Sequence, residues 1–175
     1  VSEFGIELNV DFESRLNYVY AVYKGEDPRT FRNFAPGIKG INNVITLKPH
    51  TWRELLANPP NIVVTDKVDG VRKIVYSDSN FIYILNNKND FKHYNYPTGF
   101  EFIADAEEYV DPSNGKVTYF IFDIYKYRTT NYKDRTFTQK MVGINKVYEE
   151  LKALDVAAAA AGAAGVPIKV AIKEF

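Results

Sequence analysis

Lys67-Val68-Asp69-Gly70-Val71-Arg72 brings together residue types that can do chemistry on an anionic substrate. A lysine amine is protonated at neutral pH and cannot attack. Burial and a nearby cation favour its neutral form and make it a nucleophile. Arg72 supplies such a cation, and its planar fork also matches a phosphate group. Gly70 lets backbone approach a ligand closely. Thr65, Asp66 and Asp69 flank the lysine and complete the candidate site here. A plainer reading uses the same residues: Asp69-Gly70 between two apolar runs is a two-residue hairpin turn, with Lys67 and Arg72 as solvated charges.

Two later segments carry further candidates. Phe102-Ile103-Ala104-Asp105-Ala106-Glu107 is an apolar run that ends in carboxylates. Taken alone, Asp105 and Glu107 read as the acidic end of a strand in water, and only a family resemblance makes them candidate metal ligands. Tyr119-Phe120-Ile121-Phe122-Asp123 is an apolar run ending in Phe-Asp. Taken alone, Phe120 and Phe122 read as residues that face the core on one side of a strand, and only a family resemblance offers the Phe122 face to a purine. Phe120 keeps the core reading.

The three segments, in this order, resemble motifs I, III and IIIa of the covalent nucleotidyltransferase superfamily, the mRNA capping guanylyltransferases and ATP-dependent DNA and RNA ligases. The second departs from the family pattern, with Ala106 where Gly is usual. The resemblance implies that Lys67 attacks the α-phosphate of a nucleoside triphosphate, forms a lysyl-N-phosphoramidate and passes the nucleotide to a polynucleotide 5′ end. It also implies Arg72 and Asp69 at phosphate and ribose, Glu107 at ribose or metal, Phe122 on the base, and Mg2+ or Mn2+ with the triphosphate.

Phe4 to Val10 resembles the last glutamate-bearing strand of the RNA triphosphatase module that precedes the guanylyltransferase in large-DNA-virus capping enzymes, with Asn9 in place of the second glutamate. An ordinary amphipathic strand explains the same alternation. On this basis the expectation is an mRNA guanylyltransferase domain using GTP and a 5′-diphosphate RNA end, with other capping or transcription subunits as partners and a cytoplasmic, viral-factory or virion location. Two alternatives stay open: the adenylation domain of an ATP-dependent ligase, and a degenerate, non-catalytic subunit of a larger complex. The family's carboxylate-Gly motif IV has no match after residue 130. The Lys-x-Lys of motif V is matched only by Lys169 and Lys173, at the wrong spacing. The chain is then a truncated piece, or its tail is misassigned, or this copy has lost activity. The start at Val1 reads as a fragment or processed piece.

The elements that must position these residues follow from patterning. Runs rich in β-branched and aromatic residues at 62–67, 71–77, 81–85, 100–109 and 117–125 read as strands, and short turns between them imply antiparallel meanders. Residues 11–24 are compatible with a helix and 25–43 with a loop. Thr51 and Glu54 have capping-box spacing, which predicts a helix through Ala57. Residues 136–154 are helical in pattern, with Val142, Ile144, Val147, Leu151 and Leu154 on or near one face. The expected fold is α+β: antiparallel sheets with flanking helices, a nucleotidyltransferase core incomplete at its C-terminus. Residues 1–50 form an N-terminal segment, 51–155 the core, and 156–175 an Ala-rich linker with a terminal strand. The alanines of 157–165 could equally stand in for unassigned side chains.

Composition narrows the classes. The 22 basic residues equal the 22 acidic ones, so no global field draws in a polyanion and a local cluster must hold it. Without cysteine, thiol catalysis, disulfides and thiolate zinc sites are excluded. No apolar run is long enough to span a bilayer. His50 and His93 lack metal spacing and read as surface or loop residues. Tyr94, Tyr96 and Tyr109 could touch RNA, although packing is the commoner fate of tyrosines in a sheet.

Overall fold

The structure, a computed structural model, describes residues 14, 17–19, 21–22, 24–27, 29, 48–57, 62–65, 69–86 and 91–175. The expected strand at Phe4–Val10 and the nucleophile candidate Lys67 lie outside these residues, as does Asp66.

The described elements are α1 (Pro49–Leu56), β1 (Val71–Asp78), β2 (Phe81–Leu85), β3 (Phe91–Asn95), β4 (Glu101–Val110), β5 (Val117–Tyr127), β6 (Thr130–Asn131), α2 (Phe137–Ala160) and β7 (Val170–Ile172). The strands form one sheet in the order β3-β2-β1-β4-β5-β6, antiparallel throughout, with β7 added parallel to β5. The α+β class and the largely antiparallel sheet therefore follow the expectation. The parallel pair does not. Residues 128–169 hold a long helix between β5 and β7, and a crossover of that length returns the chain in the same direction, as no hairpin can.

Alternation gives the sheet two apolar faces. Val75, Ile84, Phe102, Ala104, Ile121 and Ile124 pack with Ile144, Val147 and Leu151 of α2. Ile74, Tyr76, Tyr83, Leu85, Ile103 and Tyr125 pack with Val19 and Val22, which lie among the described helical residues 17–19 and 21–22. Fully buried side chains such as Phe102 each contribute about 1.5–3 kcal/mol. Tyr94 is buried in the first cluster, Tyr96 packs against it, and Tyr109 sits edge-on to the half-buried Phe120 at 6.2 Å. Packing accounts for these aromatics. His93 is not a loop residue. It lies on β3, half-buried, 5.9 Å from the Phe81 ring.

Turn chemistry closes the hairpins. Asp78 Oδ1 accepts from the N–H groups of Asn80 and Phe81 at 3.1 and 2.9 Å, and Ser79 takes φ 81° between β1 and β2. β3 was not expected, because its exposed Lys92 and Asn95 break the apolar pattern, yet it pairs with β2 along its whole length.

Three boundaries differ from expectation. Residues 62–65 form no strand, and Val63 and Val64 are 46% and 79% exposed. Helix α1 starts earlier than the Thr51 capping box implies, with Lys48 at the N-cap and Pro49 in the first turn, where its missing N–H costs nothing. Helix α2 begins at a true capping box: Thr136 Oγ1 accepts from Gln139 N–H at 3.3 Å and Gln139 Oε1 from Thr136 N–H at 3.0 Å. It then runs through the expected domain boundary at 155 to Ala160. Alanine has the highest helix propensity, and Val147 and Leu151 already anchor the helix, so the Ala-rich segment opens as helix rather than linker. Gly162, at φ 67°, ends it.

Candidate functional site

Five sequence candidates line one cleft of about 680 Å³: Thr65, Gly70, Arg72, Glu107 and Phe122. They come from three separated segments, which β1, β4 and β5 bring side by side. The β1–β4 register sets Arg72 opposite Glu107 and Ile74 opposite Asp105. Phe122 owes its position to a bulge. Asp105 pairs with Asp123 and Ala106 with Ile121, so Phe122 is the extra residue of β5. Such a residue escapes the pleat and can be aimed at a site. A second bulge, between Ile124 and Lys126, frees Tyr125 in the same way.

Gly70 is needed for a close approach, not for a turn. A Cβ there would stand 2.6 Å from the Glu108 carbonyl oxygen and 2.7 Å from Glu107 Cγ. The plainer hairpin reading of Asp69-Gly70 turns on residues 66–68, which lie outside the described residues. Ala106, in place of the expected glycine, is fully buried in the sheet core and does not narrow the cleft wall.

Beneath the cleft, Asp105 is about 1% exposed and carries a network. Arg72 Nε donates to both its oxygens at 2.9 Å, and Arg72 Nη2 donates to Oδ2. The Tyr125 hydroxyl donates to Oδ2 at 2.7 Å. Burial pushes the Asp105 carboxyl above the usual carboxylate range, against the pull of Arg72 and Tyr125. Burial also disfavours charge on Arg72, but its bonds to Asp105 outweigh this and keep the guanidinium firmly protonated. The Tyr125 phenol is driven far up, first by burial and then by the Asp105 charge. Asp105 thus works as the anchor of Arg72. Its carboxylate is taken up by these bonds, and it is not among the residues lining the cleft.

Sequence reasoning missed half of the wall. Arg135 and Lys140 from the start of α2 line the cleft, together with Asp123, Phe137, Met141, Lys173 and Phe175. Lys173 Nζ donates to Glu107 Oε2 at 3.1 Å and lies 5.7 Å from the Phe122 ring centroid. Lys140 pairs with Asp123 at 2.8 Å. Lys173 was set aside because its spacing from Lys169 is not Lys-x-Lys. Its position is fixed instead by β7, where Lys173 N–H donates to the Ile121 carbonyl at 2.9 Å. Arg135 and Lys140 bracket a legible N-cap, and only the crossover topology puts that cap beside Phe122. The Thr65 hydroxyl donates to the Glu174 carbonyl, tying residue 65 to this tail.

Four cations (Arg72, Arg135, Lys140, Lys173) and two carboxylates (Glu107, Asp123) line the cleft, four minus two giving a local charge of +2 in a chain of net charge zero. The N-terminus of α2 adds its positive dipole end. An elongated anion with an aromatic end group fits this wall, phosphates toward the cations and ring toward Phe122. Magnesium takes one or two carboxylates and otherwise the substrate's own phosphates. Glu107, at the cleft surface, fits that demand, whereas Asp105 would have to give up Arg72 and Tyr125. Among the described residues no three His, Cys, Asp or Glu side chains cluster as a ready-made metal site. Nor is any described helix long and apolar enough to cross a membrane. No protein-family model matches the chain, and no curated protein matches it in sequence.

Proposed function

We propose that the cleft is the nucleotide site of an mRNA guanylyltransferase-type enzyme, which takes GMP from GTP onto Lys67 and passes it to a 5′-diphosphate RNA end. The observation that carries the reading is the convergence of Thr65, Gly70, Arg72, Glu107 and Phe122 on one cationic cleft. Gly70, Arg72, Glu107 and Phe122 were singled out for their resemblance to three nucleotidyltransferase motifs, and the β1–β4 and β4–β5 pairings bring them together.

In this reading the neutral Lys67 amine attacks the α-phosphorus of GTP. A P–N bond forms, the bond from the α-phosphorus to the bridging oxygen breaks, and pyrophosphate leaves with that electron pair. The terminal phosphate oxygen of the RNA then attacks the same phosphorus, and the P–N bond breaks to return the amine. Phe122 stacks on guanine and Glu107 meets the ribose or the metal. Arg72 shapes the phosphate site, whereas Asp69 is exposed and is not among the residues lining the cleft, and Arg135, Lys140 and Lys173 offset the triphosphate charge. Fixed cations that face developing charge are worth most in a cleft that excludes water. Magnesium, held through Glu107 and the phosphates, would neutralise the leaving pyrophosphate.

Incubation with GTP or with ATP, each labelled at the α-phosphorus, tests the reading. Label retained through denaturation from GTP alone supports it. Label from ATP alone points to a ligase-type adenylation domain. No label from either, in folded protein, leaves a non-catalytic scaffold as the better account.

A further inference from the structure

We infer that a second groove, at the other end of the α2–β7 seam, is a track for single-stranded RNA whose 5′ end is in the cleft. The inference rests on the cleft being the nucleotide-transfer site. The groove has a volume of about 490 Å³ and is lined by Lys116, Lys152, Lys169, Tyr148 and Asp155, among others. Three lysines against one aspartate leave it at +2.

Those lysines differ from the ones on the sheet and in the cleft. Lys73, Lys126, Lys140 and Lys173, half-buried on the sheet and α2, are each paired with a carboxylate. Lys116, Lys152 and Lys169 are exposed and form no salt bridge within 4.0 Å among the described residues, although Lys116 is within electrostatic reach of Asp111 outside the groove lining. The one carboxylate in the groove is tied up locally, because Asp155 Oδ1 accepts from Val166 N–H at 2.7 Å. Three like charges around one concavity repel one another, and a polyanion relieves that repulsion while releasing its own counterions. Lys152 lies 5.9 Å from the centroid of the half-buried Tyr148 ring, so a cation and an aromatic face sit together. A cationic groove with an aromatic platform is how proteins hold single strands without reading their sequence.

The same three elements join groove and cleft. On β5, Val117 lines the groove and Phe122 the cleft, about 16 Å apart at the rise of a strand. On α2, Lys152 and Lys140 are about 18 Å apart at the rise of a helix. Lys169 and Lys173 stand at the two ends of β7. A strand with its 5′ end in the cleft that follows this seam meets the lysines several nucleotides on.

The test compares the full chain with its K116E/K152E/K169E and K116R/K152R/K169R variants. Anisotropy reports binding of a labelled single-stranded RNA of about ten nucleotides, within the site size of such grooves. Labelling with GTP is followed in parallel. The Glu variant is expected to bind this RNA at least roughly tenfold more weakly, with the slope of log K against log salt smaller by about 2 for three lost contacts. The Arg variant should bind like the unaltered chain, and GTP labelling should be the same in all three. Unchanged RNA affinity and slope in the Glu variant overturns the groove while leaving the cleft intact. Weakened RNA binding in a chain that never takes label upholds the groove and refutes the cleft.

Discussion

The Arg72 guanidinium is held from behind by Asp105, with Nε 2.9 Å from each carboxylate oxygen, so the residue that faces the cleft is fixed by one that does not. The side chains are 23% and 1% exposed, so Arg72 bridges solvent and core and Asp105 is entirely within. The pairing comes from the antiparallel register, which puts Ile74 opposite Asp105 and carries Arg72 one pleat further along.

Breaking that pair should be costly. Asp105→Ala leaves a partly buried guanidinium without its acceptor, and Arg72→Ala leaves a buried carboxylate without its cation. Each should destabilise the fold by about 3–5 kcal/mol. Tyr125→Phe removes a single donor and should cost about 1–3 kcal/mol. Urea unfolding of the three variants gives the order directly. A Tyr125→Phe loss equal to that of Asp105→Ala would show that the network is misassigned.

Gly70→Ala should act through crowding. The added Cβ meets the Glu108 carbonyl and Glu107 Cγ well inside contact distance, so β1 and β4 must separate or Glu107 must turn. Overpacking of this kind costs about 1–3 kcal/mol. Because Glu107 lines the cleft, GTP labelling should fall more than the loss of folded protein explains. Thermal unfolding alongside labelling of the folded fraction separates the two effects.

Alkali should weaken the fold through its buried phenols. Tyr18, Tyr119 and Tyr125 all have values raised above the ordinary 10.0, each mainly by burial and then by a neighbouring carboxylate. The native state therefore keeps protons that the unfolded chain loses. That contribution is whole below pH 10 and is lost progressively as pH rises beyond it. Stability measured from pH 8 to 11, about the ordinary phenol range, should decline above 10, and Tyr125→Phe should flatten the decline.

Phe122→Ala should weaken GTP binding by about 1–3 kcal/mol, the usual worth of one base on one ring, or roughly five- to hundredfold in affinity. Lys173→Met keeps an apolar stem near Phe122 but removes the ammonium that donates to Glu107. Labelling should drop by about 1.5–3 kcal/mol, the worth of a charge-assisted hydrogen bond. Titration with GTP and initial labelling rates measure both.

Strands β1, β2, β4 and β5 and helix α2 were legible because their cues are local: period-2 runs, Asp78-Ser79-Asn80 at a turn, and Thr136 with Gln139 as a capping box. The candidates Arg72, Glu107 and Phe122 were legible as motif residues, but their meeting was not. It depends on the β1–β4 register and on a bulge at Phe122 that no pattern announces. Lys140 and Lys173 were hidden for a topological reason. The start of α2 brings Lys140 to the cleft and the parallel return strand after it brings Lys173, and crossover geometry leaves no mark in local spacing. Residues 62–65 misled in the opposite direction, since Val63 and Val64 have strand composition and lie exposed.

The most direct measurement is to locate a covalent nucleotide on the chain. Protein incubated with magnesium and α-labelled GTP, denatured and digested, should yield one labelled peptide with an acid-labile bond at Lys67. The label should vanish in Lys67→Ala while that variant unfolds at the same temperature as the unaltered chain. Label that persists in Lys67→Ala, or folded protein that takes none from GTP, contradicts the account.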